Sequence, residues 1–196
     1  MTEAHNKGTG AGGSNTNKNG IAFETKTDNE IRLLSSGFVR KNIKGKEKTK
    51  FGYYLEKIDE KNTIHFVKQN GLKNYMYQFH QKEICREVDE AYIITDNLTR
   101  NITVKILEKK NQNGGGSVED KLCLGHHFKF VEYPNCFGEK IQVEYAFCIS
   151  SFLKNLYNSE HIKWKIIRKE NEKNNIPVLF GDDDDYCAKL DKWLSL

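Results

Sequence analysis

Apolar residues recur along the chain with two different periods. Ile21, Phe23, Ile31, Leu33 and Leu34 return at roughly helical spacing and predict a helix from about 18 to 34, with Asn17 or Asn19 as its N-cap. Phe38–Ile43, Phe51–Ile58 and Thr63–Val67 are rich in β-formers and separated by Gly, Asn and Lys turns, which predicts strands. Leu72–Gln81 fits a short helix or a strand equally well. Two apolar runs, 87–94 and 101–110, flank an Asn-containing turn at 95–100 and predict an antiparallel hairpin. Beyond the break at Gly114–Gly116, Ser117 and Asp120 carry a capping signature for a helix over 117–131. Ile141–Ile149 is almost continuously apolar, as a central strand buried on both faces would be. Helices over 150–156 and about 160–174, a buried strand at Ile176–Phe180 and a last helix at Tyr186–Leu194 complete the pattern. The order predicts one α/β domain over 18–196, a mixed central sheet flanked by helices, behind a Gly- and Asn-rich arm at 1–17.

Composition narrows this picture. With 37% hydrophobic residues in 196, the chain can build a core of its own, so wholesale disorder is excluded. Its apolar runs fall well short of the roughly 20 residues that cross a bilayer, and residues 1–20 lack the apolar segment of a signal peptide. No membrane association and a cytoplasmic location are therefore expected. The five cysteines form no CxxC pair, so neither a disulfide scaffold nor a zinc ribbon is suggested. Cys123 and Cys148 lie in apolar runs and are expected to be buried.

Charge is uneven rather than extreme. Lys and Arg number 31 against 27 Asp and Glu, a net +4. The segment 40–50 is strongly basic, with Phe51, Tyr53 and Tyr54 just behind it, and suits contact with a nucleic-acid backbone. Arg40, Lys41, Lys44 and Lys46, together with Lys7 of the arm and Lys18 just after it, are the candidate contacts. Asp182–Asp185 is a compact acidic run, expected to cap the helix Tyr186–Leu194 and to lie away from any nucleic acid.

The chemistry concentrates in the hairpin. Asp89 stands at the start of its first strand, and Glu108 and Lys110 at the end of the second, so folding brings residues 19 apart in sequence side by side. Glu108 and Lys110 are two apart and share a strand face. Two carboxylates beside a lysine suit phosphodiester hydrolysis. The carboxylates bind a hard divalent cation, Mg²⁺ with Mn²⁺ as a substitute, and the backbone carbonyl of Lys109 is positioned as a further ligand. Lys110 would position or help deprotonate the attacking water. Gln112, two residues further on, would face the same way if the strand continued, and could orient phosphate or water.

VDEAYI followed by LEKKNQ resembles the PD-(D/E)XK motif of restriction-endonuclease-like nucleases, with Val88 in the place of Pro, Asp89 as the Asp, and Glu108-Lys109-Lys110 as E-X-K. The predicted helix, three strands, helix and strand over roughly 18–150 are similar to that family's α-β-β-β-α-β core. Further segments, AFE at Glu24, EKKNQ, GSVE and VEYAFC, resemble small type II restriction enzymes. The resemblance implies a restriction-endonuclease-like fold and a Mg²⁺-dependent endonuclease acting on double-stranded DNA. It also implies a homodimer, a cognate DNA methyltransferase in the same system, and Glu24 as an additional acidic residue near the metal, with Glu30 as the substitute. A repair, mobile-element or phage nuclease of the same fold, or a DNA-binding protein without activity, would share these features.

Other motifs carry less. Glycines 8, 10, 12 and 13 lack the Lys-Ser/Thr ending and the preceding strand of a phosphate loop. His126 and His127 are adjacent on a predicted helix, so their rings point about 100° apart and cannot readily share a metal. Four successive aspartates do not reproduce the alternating ligands of an EF-hand.

Overall fold

The structure, a computed structural model, describes residues 21–112 and 118–196. Seven strands form one sheet in chain order: β1 (Val39–Asn42), β2 (Tyr53–Ile58), β3 (Asn62–Gln69), β4 (Val88–Asp96), β5 (Ile102–Lys110), β6 (Ile141–Ile149) and β7 (Val178–Phe180). β1 to β5 are antiparallel neighbours, whereas β5–β6 and β6–β7 pair in parallel. The class is therefore α/β with a mixed sheet. A parallel step needs a crossover, and helices supply it between β5 and β6 and again between β6 and β7.

The sheet is covered on both faces. One core takes Val104, Ile106, Val143, Tyr145, Phe147 and Ile149; the other takes Tyr92, Leu107, Ala146 and Cys148 with Phe23, Leu33 and Leu190. β6 sends alternate residues into each core, which is why its sequence is apolar at nearly every position. β7 is a three-residue edge strand, not a fully buried one. Leu72–Gln81 resolves as a helix, α3 (Gly71–His80), because Leu72, Tyr75 and Met76 bury one helical stripe.

The expected helix over 18–34 is broken. Residues 21–26 form α1 and Glu30–Ser35 form α2, with a buried turn at 27–29 between them. The interruption has a chemical cause: Lys109 Nζ donates to the Thr27 carbonyl at 2.8 Å, and the Asn29 amide donates to Glu90 at 3.1 Å. Backbone groups that a continuous helix would satisfy internally are used here to grip the sheet.

The helical region after β5 is also segmented, into α4 (Val118–Leu122), α5 (Gly125–His127), a π-helical turn at Phe128–Glu132, and α6 (Tyr133–Phe137). Gly125 sits so close to Phe147 that a Cβ there would lie 2.9 Å from its ring. α7 (Ser151–Tyr157), α8 (Ile162–Lys173) and α9 (Tyr186–Leu194) follow as the apolar periodicity predicts. Of the acidic run, Asp185 stands at the N-cap position of α9 without a side-chain cap bond, and Asp182 is engaged elsewhere. It accepts from the Ser151 amide at 2.7 Å at the start of α7 and pairs with Lys26 of α1 at 2.5 Å, sharing a cleft with Asn111 near the end of β5. Cys148 is buried, but Cys123 is exposed on the surface of its helical segment, contrary to its apolar sequence neighbourhood. Among the described residues no helix is long and apolar enough to cross a membrane.

Candidate active site

Asp89 is the extra residue of a β-bulge. Lys68 pairs with Glu90 and Gln69 with Val88, so β4 carries one residue more than β3 at this point. Bulges of this kind re-aim a side chain at a sheet rim. On its other side the β4–β5 ladder ends at Glu90 and Leu107, and Asp89 and Glu108 stand just beyond that last pair, with the Lys109 amide donating to Asp89 Oδ2. Glu108 and Lys110 share the face of Val104 and Ile106, and their side chains form an ion pair. Asp89, Glu108 and Lys110 thus come together at one end of the hairpin.

The electrostatics of this corner are costly for Asp89. Burial, then the neighbouring charge of Glu108, raises its carboxyl to about 6, against opposing contributions from Lys110 and from the Lys109 amide, which donates to Asp89 Oδ2 at 2.6 Å. A divalent cation between the two carboxylates would relieve both the desolvation and the repulsion, so this donor pair fits a hard metal ion. Among the described residues no group of three or more His, Cys, Asp or Glu is assembled as a metal cluster. Asp89 and Glu108 would hold the ion with ligands from water and substrate.

Glu24 joins the site and Glu30 does not. Burial and then the charge of Asp89 raise the Glu24 carboxyl, with Lys109 and Lys110 acting in the opposite direction. Glu24 and Asp89 line one cavity of about 290 Å³, together with Lys50 and Phe51 from the end of the basic segment. Glu30 instead accepts from the Tyr53 hydroxyl at 2.7 Å and pairs with Lys68 at 2.6 Å. Gln112 departs from the expected geometry. β5 ends at Lys110, so the alternation does not carry to 112, and the Gln112 carbonyl accepts from Ser150 Oγ at 3.5 Å.

Lys109 has a role that its middle position in the motif did not announce. Its side chain points away from Glu108 and Lys110 into the opposite core, where Nζ lies 2.6 Å from Glu90 Oε1. Glu90 also accepts from Asn29 Nδ2 at 2.7 Å and from the Tyr92 hydroxyl at 3.1 Å. Glu90 and Lys109 also line the cavity of Asp89 and Glu24, so this buried pair forms part of its wall while Glu108 and Lys110 line the cavity on the other side. An alternation of charges within an otherwise apolar hairpin was the available signal in the sequence.

The candidate nucleic-acid contacts divide. Arg40 stacks on the Tyr53 ring at 3.6 Å, and Lys41 is paired with Glu56. Lys44 and Lys46 are exposed in the turn between β1 and β2. Lys7 and Lys18, with the whole arm, lie outside the described residues, as do Gly114–Gly116 and Ser117. On the Glu108 side, Arg86, Lys121 and His127 line a second cavity of about 420 Å³ with Glu108 and Lys110. The sequence pattern does not mark these three basic residues. Arg86, three positions before Asp89, comes nearest to a readable sign. Among the histidines, His65 is held between Glu56, at 3.0 Å, and Tyr75, and serves the core.

Comparison with protein-family models, curated proteins and solved structures finds no significant match to this chain.

Proposed function

We propose that the chain is a Mg²⁺-dependent endonuclease that hydrolyses phosphodiester bonds of double-stranded DNA in the manner of a type II restriction enzyme, on a restriction-endonuclease-like core. The observation that carries the reading is that Asp89 and Glu108 stand just beyond the last pair of the β4–β5 ladder, close enough for the charge of Glu108 to act on Asp89, with Lys110 paired to Glu108 on the same strand face. In this reading Asp89 and Glu108 hold the cation and Glu24 supports it from α1. Mn²⁺ would substitute for Mg²⁺. The bound ion supplies charge neutralisation at the scissile phosphate and acidifies a water ligand. Lys110, already within ion-pair reach of Glu108, orients the attacking water and offers a positive charge to the phosphate. The products are a 5′-phosphate and a 3′-hydroxyl. The exposed Lys44 and Lys46 meet backbone phosphates, and two copies of the chain, each with one site, would cut both strands of a palindrome. A methyltransferase protecting the same sequence would accompany such an enzyme.

Incubation of the full chain with plasmid and Mg²⁺ tests the reading. Discrete, reproducible fragments are expected, and they should vanish with EDTA and in Asp89→Ala and Lys110→Ala. A smear would move the protein to a structure-directed nuclease of the same fold. Absence of cleavage with retained DNA binding would make it a binding protein, and cleavage surviving both substitutions would overturn the site.

A further inference from the structure

We propose that the cavity on the Glu108 side is a seat for a backbone phosphate of duplex DNA, with Arg86 and Lys121 as its ligands. This rests on the nuclease reading and deepens it by fixing where the substrate strand leaves the carboxylate pair. The cavity, about 420 Å³, has Glu108 and Lys110 at one side and Arg86, Lys121 and His127 around it. Three permanent positive charges, those of Arg86, Lys110 and Lys121, face the two negative charges of Glu108 and Glu132. The excess is positive beside the very residues assigned to the chemistry, as an anionic ligand requires.

Arg86 is exposed, but its guanidinium is held in place. Its Nη2 donates to Glu132 Oε2 at 2.9 Å, its Nε donates to Glu132 Oε1, and its guanidinium lies 4.6 Å from the centre of the Phe128 ring. A guanidinium fixed along one edge keeps its remaining N–H groups aimed, and that fork matches phosphate oxygens. Both Phe128 and Glu132 belong to the π-helical turn, and four residues apart they fall on one side of it. Lys121 stands exposed on α4 across from them. On the opposite flank, Lys50 and Phe51 line the cavity of Asp89 and Glu24. Basic groups thus bracket the carboxylate pair, and a strand crossing the sheet rim would meet a cation before and after the scissile bond.

The test is a salt series of anisotropy titrations with a fluorescein-labelled DNA duplex in EDTA, so that no cutting occurs. Lys121→Gln is expected to weaken binding severalfold and to lower the slope of log affinity against log salt by about 1, the signature of one phosphate no longer neutralised, and Arg86→Gln, whose charge is shared with Glu132, to weaken binding and lower the slope by a smaller step. Arg86→Lys, which keeps the charge, should keep the slope. Lys140→Gln, at the far end of β6, should change neither quantity. Thermal melts of the same proteins identify any variant that has merely unfolded, and for Arg86 the Lys variant then decides. Unchanged affinity and slope in both Gln variants of a chain that still cuts plasmid overturns the phosphate seat alone. A wild-type chain that neither binds nor cuts DNA overturns the nuclease reading and this assignment with it.

Discussion

Lys109 and Glu90 form a buried ion pair in the wall of the Asp89 and Glu24 cavity, with Nζ 2.6 Å from Oε1 and only 3% and 1% of the two side chains exposed. Each is the sequence neighbour of a residue in the candidate site, and together they tie β4 and β5 to the turn between α1 and α2. Breaking such a pair leaves an uncompensated buried charge, which costs about 3–5 kcal/mol, whereas replacing both charges is far milder. Lys109→Met should therefore lower unfolding stability by about that amount in urea titrations. Adding Glu90→Gln to it should recover a large part. A Lys109→Met protein as stable as wild type would show that the pair does not anchor the hairpin.

Asp89 gives a pH dependence whose sign can be worked out. Its folded carboxyl titrates at about 6, above the ordinary value of 3.8, so between these values the folded chain binds more protons than the unfolded one. Stability contributed here is full below pH 4 and is lost as pH rises through 6, up to about 3 kcal/mol. In EDTA at neutral pH, Asp89→Asn should thus be more stable than wild type, and near pH 4 the two should converge. Mg²⁺ should raise the melting temperature of wild type and leave Asp89→Asn unmoved. If the Asn protein is the weaker one at neutral pH, Asp89 is a structural residue and not a strained metal ligand.

The strands, the hairpin and the α/β class were legible because period-2 alternation and turn residues report a local requirement. The hairpin in particular set the Asp89–Glu108 neighbourhood from sequence spacing alone. What was hidden depended on partners far along the chain. Thr27-Asp28-Asn29 is a local run of cap-forming residues, and Asp28 Oδ1 accepts from the Glu30 amide at 2.9 Å, but the groups that draw this backbone onto the sheet are the distant Lys109 and Glu90. The acidic run divides for the same reason: Asp185 stands at the N-cap position of α9, whereas Asp182 is held by Ser151 and Lys26, both distant in sequence. The alternation that would carry Gln112 to the same face assumed a strand two residues longer than β5 is.

Glu24 lies on α1, outside the hairpin, and acts on the site through its charge near Asp89. Groups that support a metal from this distance typically change activity by about 10–100-fold when removed. Glu24→Gln should reduce Mg²⁺-dependent cleavage by that order and raise the Mg²⁺ concentration needed for half-maximal rate. Glu30→Gln, engaged with Tyr53 and Lys68, should leave the Mg²⁺ requirement where it was. A metal requirement that moves with Glu30 and not with Glu24 would reverse the assignment.

The basic segment makes a graded prediction, since its cations differ in how far they are already committed. Lys44 and Lys46 project from an exposed turn, whereas Lys41 is bound to Glu56 and Arg40 lies against Tyr53. A phosphate must displace an existing partner to reach Lys41, so its net gain there is small. Replacing Lys44 and Lys46 together by Gln should lower the salt slope of duplex binding by about 2, one for each phosphate left without its lysine. Lys41→Gln should lower it by clearly less than a single phosphate's share and should release Glu56, adding a negative charge to the same edge of the sheet. Filter-binding or anisotropy measurements over a salt series separate these cases. Equal slopes for the double variant and wild type would remove the turn between β1 and β2 from the DNA path and leave the rim cavities as the binding surface.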